Sequence, residues 1–470
     1  MKKIIIASVV LASIITGCRD NPNVTEDVFL TTPNSMSSWI VGVNRQAALT
    51  MNSVIINAEI TSDNYFNNYS QYTKVFDRLQ IEYFDYDVNQ LQNQVSALYE
   101  MADYGITKVA AADNTTTKAN IAYLHLMRGY ARILGGELFI ALPESPKGKI
   151  LTSQQLIQKA VDDINNAISL GLGATDAQFA HLLLARAYYN LGDKSNAKKM
   201  ATTVISSNPQ MLYTIKYDGQ NGVGNEMQNA TFQALPNRLA PLPRLDFLDP
   251  KYFYKGTAAL EQKSIAIGKS EEAYLILAEA YLSENNLSFA KDVLINLIND
   301  VVAKRPTAMV NDKKETRNGG NRKDYPLKAV GVKFSSDAPV KNGLVLDRQA
   351  GDVKVYTVSG TSVSADDVAK ADSVESLLYL TYLLRQEIFI SEGRRLLDLG
   401  IKYPISQIEE NNNPNVTAEF TKVQIPEFVP KDLGLDDFST DASGTVTIKN
   451  DMNRIIVNNR KSPFIAPFFK

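Results

Sequence analysis

Cysteine, histidine and tryptophan are nearly missing from this sequence of 470 residues, which has one Cys, two His and one Trp. Cys18 has no partner in the chain for a disulfide, and once it is consumed by an N-terminal modification no thiol nucleophile remains. His125 and His181 fall inside helical patterns with no second His or Cys nearby to complete a zinc site. A packed or surface helix residue is the plainer reading of both. Charge of one sign is also not in excess. A net charge of -2 excludes the basic face of a nucleic-acid binder. Past residue 18, no apolar run is long enough to form a transmembrane helix. No Gly-x-Ser-x-Gly elbow occurs. The acidic pairs Asp162-Asp163, Glu271-Glu272, Asp366-Asp367, Glu409-Glu410 and Asp436-Asp437 are neighbours in sequence. Adjacent residues point in different directions, whereas glycoside hydrolysis needs two carboxylates facing each other across a cleft. Gly219, Gly222 and Gly224 follow no strand and precede no Lys-Ser/Thr, which reads as a flexible loop and not a phosphate cradle.

The chain does begin with a decisive signal. Lys2 and Lys3 precede an apolar or small-residue run from Ile4 to Ile15. A helix crossing a hydrocarbon core of roughly 30 Å needs about 20 residues, so this run fits a signal peptide instead. Ile15-Thr16-Gly17-Cys18 then matches a bacterial lipobox, in which the Cys thiol is acylated and becomes the new N-terminus. An ordinary signal peptide followed by a chance Cys is the alternative. The expected organisation is a signal peptide over 1–17, a polar tether over 18–34 and a single body over 35–470, anchored to a membrane through Cys18 without spanning it. An apolar content of 44% and a charged content of 21% suit a globular body.

A repeat organises that body. Leu184, Ala185, Tyr188, Gly192, Ala197 and Pro209 have the spacing of a tetratricopeptide repeat, two antiparallel helices around a tight turn. The small Ala185 and Ala197 sit where the helices approach, and Leu184 and Tyr188, at i and i+4, fill the groove beside them. The register recurs at Leu277, Ala278, Tyr281 and Ala290, and Leu294 and Leu297 extend it. A degenerate copy lies upstream: a helix from Ile121 ends at Gly135-Gly136, and a second opens with the capping box Thr152/Gln155. Helix pairs are predicted near 120–170, 177–209, 270–303 and 373–400. The last of these contains one helix over about 373–399. There Arg385 with Glu392, and Glu387 with Arg394, are two turns apart and read as ion pairs along the helix. Residues 403–470 read as irregular. The expected fold class is all-α, a tetratricopeptide-like scaffold with minor β and a loop-rich ligand face.

Aromatics mark candidate contacts, because aromatic faces stack on sugar rings and other flat groups. Residues 65–86 carry Tyr65, Phe66, Tyr69, Tyr72, Phe76, Tyr83, Phe84 and Tyr86. Tyr65, Tyr69, Tyr72 and Phe76 follow helical spacing, which is either a core stripe or a ligand platform. Trp39 has the same two readings. Tyr213, Tyr217, Tyr252, Phe253 and Tyr254 flank a Gly- and Pro-rich loop region, where a core role is less natural. Long loops inside a compact domain are usually functional.

Several motifs in order resemble the SusD/RagB family of outer-membrane lipoproteins. They are Thr61-Ser62-Asp63-Asn64, the helix from Asn120 to Gly136, Ala278-Glu279-Ala280-Tyr281, and Leu384-Arg385-Gln386-Glu387 followed by Glu392-Gly393-Arg394-Arg395 and Leu397-Asp398-Leu399. The resemblance covers most of residues 18–400. It implies four repeat-type helix pairs opposite a loop-rich ligand face, and a nutrient ligand, a glycan or a peptide. It also implies a TonB-dependent SusC-type barrel as partner, with the protein on the outer membrane facing the exterior. No cofactor and no catalytic activity are expected. A repeat-based envelope scaffold that binds other proteins is the competing reading. The aromatic loops weigh against it, since a scaffold needs only the repeats.

Overall fold

The computed structural model describes residues 26–30, 32–69, 74–431 and 434–470. Cys18, the signal segment 1–17, most of the 18–34 tether and Tyr72 lie outside the described residues. The tether's end is not featureless: Glu26–Leu30 is a short helix, and Phe29 packs on Trp39 with ring centroids 5.7 Å apart.

The body is a serial stack of helices with short strands at one side. The helices that build the stack are α1 (Ser35–Thr61), α2 (Tyr86–Tyr104), α3 (Lys118–Leu138), α4 (Ser153–Leu170), α5 (Ala174–Asn190), α6 (Lys194–Ser207), α7 (Ser270–Ser283), α8 (Leu287–Asn296), α9 (Val374–Ile388), α10 (Arg395–Leu399) and α11 (Met452–Asn458), with further short helices such as Ala365–Lys370 and Gln407–Asn412 between them. Each of α1 to α8 packs on the next, α9 packs on α7, and α11 packs on α9. This is the all-α, helix-pair scaffold that the repeat spacing predicts.

The two clear repeats share one turn geometry. In the first, Asp193 N–H donates to Tyr188 O at 2.9 Å, and the Asp193 carboxylate accepts from Asn196 N–H at 3.1 Å. In the second, Asn286 N–H donates to Tyr281 O at 2.8 Å, and the Asn286 side chain accepts from Phe289 N–H at 3.3 Å. The residue before each cap is left-handed, Gly192 at φ 74° and Asn285 at φ 57°. Asn is among the few residues other than Gly that tolerate this region. Ala185, Ala197, Ala278 and Ala290 are all fully buried at the helix crossings.

The upstream pair has the expected capping box: Gln155 N–H reaches Thr152 Oγ1, and Thr152 N–H reaches Gln155 Oε1. Its first helix, however, runs through Gly135-Gly136 to Leu138. Those glycines do not end the helix. A Cβ on Gly136 would lie 2.7 Å from the Ile157 side chain, so glycine here lets α4 close on α3.

Three further expectations are corrected. Residues 65–67 form strand β1 (Tyr65–Asn67), not a helical stripe. It pairs antiparallel with β3 (Leu239–Pro241), and this long-range partner overrides the local helical spacing. The helix predicted over 373–399 breaks at Phe389–Arg394, where Ser391 and Gly393 adopt φ 63° and 70°. Its charges therefore pair across the break or with distant elements, and not along one continuous helix. Arg385 bonds Asp398 at 2.7 Å, Glu387 accepts from Thr361 and Ser362, and Arg394 bridges Glu137 at 2.8 Å and Glu272 at 2.7 Å. Finally, residues 403–470 include α11 and the hairpin of Phe438–Thr440 with Val446–Ile448.

Two more strand pairs set up the loop side. Strand β2 (Leu212–Ile215) pairs with β4 (Ile265–Lys269), and β5 (Thr307–Asn311) with β6 (Asp352–Tyr356), both antiparallel. A small apolar cluster of Phe253, Val310, Val353 and Val355 lies between the loops, apart from the main core.

Overpacking a helix crossing typically costs about 1–3 kcal/mol. Ala278→Leu is expected to lower the melting temperature by several degrees in a thermal scan. An unchanged melting curve would contradict the packing of α7 as a repeat helix.

Candidate ligand-binding cleft

The loop after the Pro-rich stretch is fixed from below. Lys251 Nζ donates to Ile390 O at 3.2 Å and to the Glu392 carboxylate, and Tyr252 OH donates to Ser391 O at 3.1 Å. The break between α9 and α10 thus exposes two carbonyls and one carboxylate that hold residues 251–252. Phe253 then enters the small apolar cluster. On the opposite side, the alternation of side chains along β2 turns Leu212 and Thr214 toward the loop and Tyr213 away from it.

Between these walls lies a cleft of about 270 Å³. Leu212, Thr214 and Ala266 form the strand side. Tyr252, Phe253, Lys263 and Ser264 form the loop side, with Thr357 and Val358 at the end of β6. Lys251 and Glu392 line its floor. Behind the floor, Lys269 Nζ donates to Glu392 Oε1 at 2.7 Å, Ile388 O at 2.7 Å and Ser359 Oγ at 3.0 Å. Burial lowers the Lys269 pKa to about 8, against the pull of Glu392. At the rim, the Lys263 ammonium lies 5.6 Å from the centre of the Phe253 ring. The surface therefore offers an apolar wall, hydroxyls and fixed charges, a set suited to holding a polyhydroxylated ligand.

The residues proposed from sequence are only partly brought together. Tyr252 lines the cleft, and Phe253 lines it beside Tyr252. Tyr254 stands next to them, half-buried, with its ring edge-on to Phe232 at 5.1 Å. Tyr213 turns away from the cleft: it stacks on Phe179 with ring centroids 4.1 Å apart, and its OH donates to Asp176 at 2.8 Å. Tyr217 is buried, with its OH on Ala48 O at 3.3 Å. Tyr65 is fully buried, and its OH bonds Asp249 at 2.6 Å and Ser391 at 2.7 Å. These bonds make Tyr65 and Tyr217 core residues in this conformation, not ligand contacts. Trp39 lies elsewhere, packed between Phe29 and Tyr104, with Nε1 on Met101 O at 2.8 Å. Tyr69 donates to Pro236 O at 3.0 Å, also away from the cleft.

Lys251, Lys263 and Glu392 were not singled out as site residues from sequence. Glu392 read as one member of an intrahelical pair, and no local spacing marks the lysines. A second cavity, of about 260 Å³, lies between Lys402 and the C-terminal residues 463–467. None of the candidate loop aromatics lines it, so the cleft over Glu392 is the better candidate.

Among the described residues, no cluster of three or more His, Cys, Asp or Glu side chains is arranged to hold a metal ion. No described helix is long and apolar enough to cross a membrane.

Sequence comparison finds neither a matching family model nor a matching curated protein. Solved structures do match. A SusD superfamily protein from Bacteroides thetaiotaomicron aligns with a TM-score of 0.54 at 14% identity, over 81% of this chain and 98% of that one. A protein described as a "putative sugar binding protein" from Bacteroides vulgatus aligns with a TM-score of 0.54 at 13% identity, over 85% of this chain and 100% of that one. A SusD-like carbohydrate binding protein, also from Bacteroides vulgatus, aligns with a TM-score of 0.50 at 12% identity, over 77% and 83%. The fold is that of the SusD superfamily.

Two buried carboxyls without an ion pair give the fold a pH dependence. Burial raises both Glu59 and Glu279 to about 7. In the unfolded chain each loses its proton near its ordinary value of 4.5. Between these values the folded state holds more protons, so their contribution to stability is full below about 4.5 and is lost as pH rises through about 7. Glu272, lowered to about 2 beside Arg186 and Arg394, acts oppositely but only below 4.5. Burial lowers the His181 pKa, which opposes the trend with a single group. The melting temperature is expected to be higher at pH 5 than at pH 8. Burial also raises Asp249 and Glu315 to about 7, so replacing Glu59 and Glu279 by Gln should reduce that difference without abolishing it, and a profile unaltered by both changes would contradict the assignment.

Proposed function

We propose that this chain is a cell-surface lipoprotein that binds an oligosaccharide and delivers it to a TonB-dependent, SusC-type outer-membrane transporter. One observation carries the reading. Over most of its length the chain has the fold of proteins described as sugar or carbohydrate binding. The cleft between its loops supports it, combining Tyr252 and Phe253 with hydroxyl and charged side chains. Sugar rings present apolar faces to aromatic and aliphatic walls and hydroxyls to fixed polar groups. Glu392 is the single carboxylate lining the cleft, and two lysines hold it. Hydrolysis by paired acids would need a second carboxylate across the gap. The protein therefore captures its ligand and releases it unchanged. The lipobox at Cys18 supports anchoring by acylation, with the body held at the membrane surface.

Two experiments test this reading. Purified protein lacking residues 1–18 should bind an oligosaccharide in a glycan screen and return it intact in product analysis. Ser264→Trp places a large side chain at the exposed rim. It should abolish binding and leave the melting curve unchanged. Shortened products would refute capture without chemistry, and undiminished binding by Ser264→Trp would place the site elsewhere. Independently, Cys18→Ala should shift the protein from the membrane to the soluble fraction of expressing cells. Full membrane retention of that variant in cells without a transporter partner would exclude the lipid anchor.

A further inference from the structure

The charges beneath the cleft do not balance. Lys251 and Lys269 both direct their ammonium groups at one oxygen, Glu392 Oε1. All three side chains are almost completely buried. The remaining partners of the two lysines are neutral: Ile390 O for Lys251, and Ile388 O, Val358 O and Ser359 Oγ for Lys269. Two cations thus share one hydrogen-bonded anion, with Glu271, the partner of Arg305, adding charge attraction to Lys269 from behind.

The surrounding ionic groups are already committed. Glu271 is held bidentately by Arg305, with N–O distances of 2.8 and 2.7 Å. Glu272 is shared by Arg186 and Arg394, and Glu137 takes the other arm of Arg394. Glu59 faces the same turn, held by Asn64 Nδ2 at 2.8 Å and by the Glu392 and Gly393 amides at 3.1 and 2.8 Å. Burial keeps it largely protonated below pH 7. The rim adds another cation. Lys263 is half-exposed, and its nearest carboxylate, Glu261, is 3.6 Å away and already accepts the Lys255 and Gly256 amides.

A buried charge without a counter-charge is costly, and a desolvated ammonium lining a cavity attracts an anion to that cavity. The lowered pKa of Lys269 reports the same strain on its charge. Lys251 is the one of the two buried lysines that lines the cleft, and Lys263 stands over the entrance. Their positions give an entering anion one partner at the floor and another at the rim. Of the walls between them, the exposed Leu212 offers an apolar surface to a sugar ring, and the buried Phe253 and Tyr252 back the opposite side.

We propose that the cleft selects an acidic sugar, whose anionic group meets Lys251 and Lys263 while its ring lies against the apolar wall at Leu212. This rests on the sugar-binding reading above and narrows its ligand class. Carboxylate and sulfate substituents share the required charge, and the experiment separates them.

The test is calorimetric titration of the protein lacking residues 1–18 with three probes of matched length: an oligogalacturonate, a sulfated galacto-oligosaccharide and a neutral galacto-oligosaccharide. At least one acidic probe should bind roughly tenfold more tightly than the neutral one, a ratio corresponding to about 1.4 kcal/mol. Its advantage should shrink as salt rises from about 0.05 to about 0.5 M, because screening shortens the reach of the charge. Lys263→Gln should remove much of the advantage, lowering acidic-probe affinity several-fold more than neutral-probe affinity, with the melting curve unchanged. This variant avoids the folding risk of Lys251→Met, which would leave Glu392 with one fewer partner. Equal binding of neutral and acidic probes, abolished by Ser264→Trp, overturns the acidic preference and leaves the sugar-binding reading standing. Binding indifferent to Ser264→Trp overturns the acidic cleft and places the sugar site elsewhere, and absence of binding by all three probes overturns both readings.

Discussion

The six residues between α9 and α10, together with Arg395 at the start of α10, are the buried electrostatic junction on which the rest of the chain is hung. Glu392 takes Lys251 and Lys269, Arg394 takes Glu137 and Glu272, and Arg395 takes Asp63 at 2.7 Å. Those partners come from the end of α1, the end of α3, the aromatic loop and the start of α7. Removing one member of such a buried pair leaves an uncompensated charge and typically costs about 3–5 kcal/mol. The junction therefore sets the position of elements that are hundreds of residues apart in sequence. It also explains the broken helix. A continuous α9 would carry Glu392 and Arg394 along one rod, unable to reach two sides of the molecule at once. The left-handed Ser391 and Gly393 redirect the chain between them.

The helix pairs were legible in the sequence because their determinants are local. Ala185 and Ala278, with their partners Ala197 and Ala290, need only a small residue at a crossing and a turn at a fixed distance. Gly192 and Asn285 supply that turn in two chemically different ways, with the same hydrogen bonds around it. The motifs around Asp63 and Arg395 were visible as separate strings. Nothing in either string says that they form one ion pair, since the contact spans the whole length of the domain. Residues 65–76 show the opposite failure. Their spacing is helical, but Tyr65–Asn67 finds a strand partner at Leu239–Pro241, and that distant pairing wins over the local period.

The candidate cleft was half legible for the same reason. Aromatics clustered in a loop pointed to the right segment, and Tyr252 and Phe253 do line the cleft. The side on which each aromatic lies depends on backbone detail. Alternation along β2 puts Leu212 and Thr214 on the cleft side and Tyr213 on Phe179. Tyr217 and Tyr65 were drawn into the core because each found a buried acceptor for its hydroxyl, Ala48 O and Asp249. Lysines and a single glutamate give no periodic signal, so the charged floor appears only once the junction is assembled.

Scaffold and cleft therefore share one part. Glu392 closes the junction on its buried side and lines the cleft on its open side. The helix pairs can drift far in sequence while keeping their crossings, which is consistent with a shared fold at 12–14% identity. The loops can change their aromatics to suit a ligand. The floor has less freedom, because any change to Glu392 or its two lysines alters the charge presented to a ligand and the attachment of residues 251–252 together. On the proposed reading, ligand selectivity is thus most easily altered at the rim, at Lys263 and Ser264, where a side chain would meet a ligand without carrying the fold.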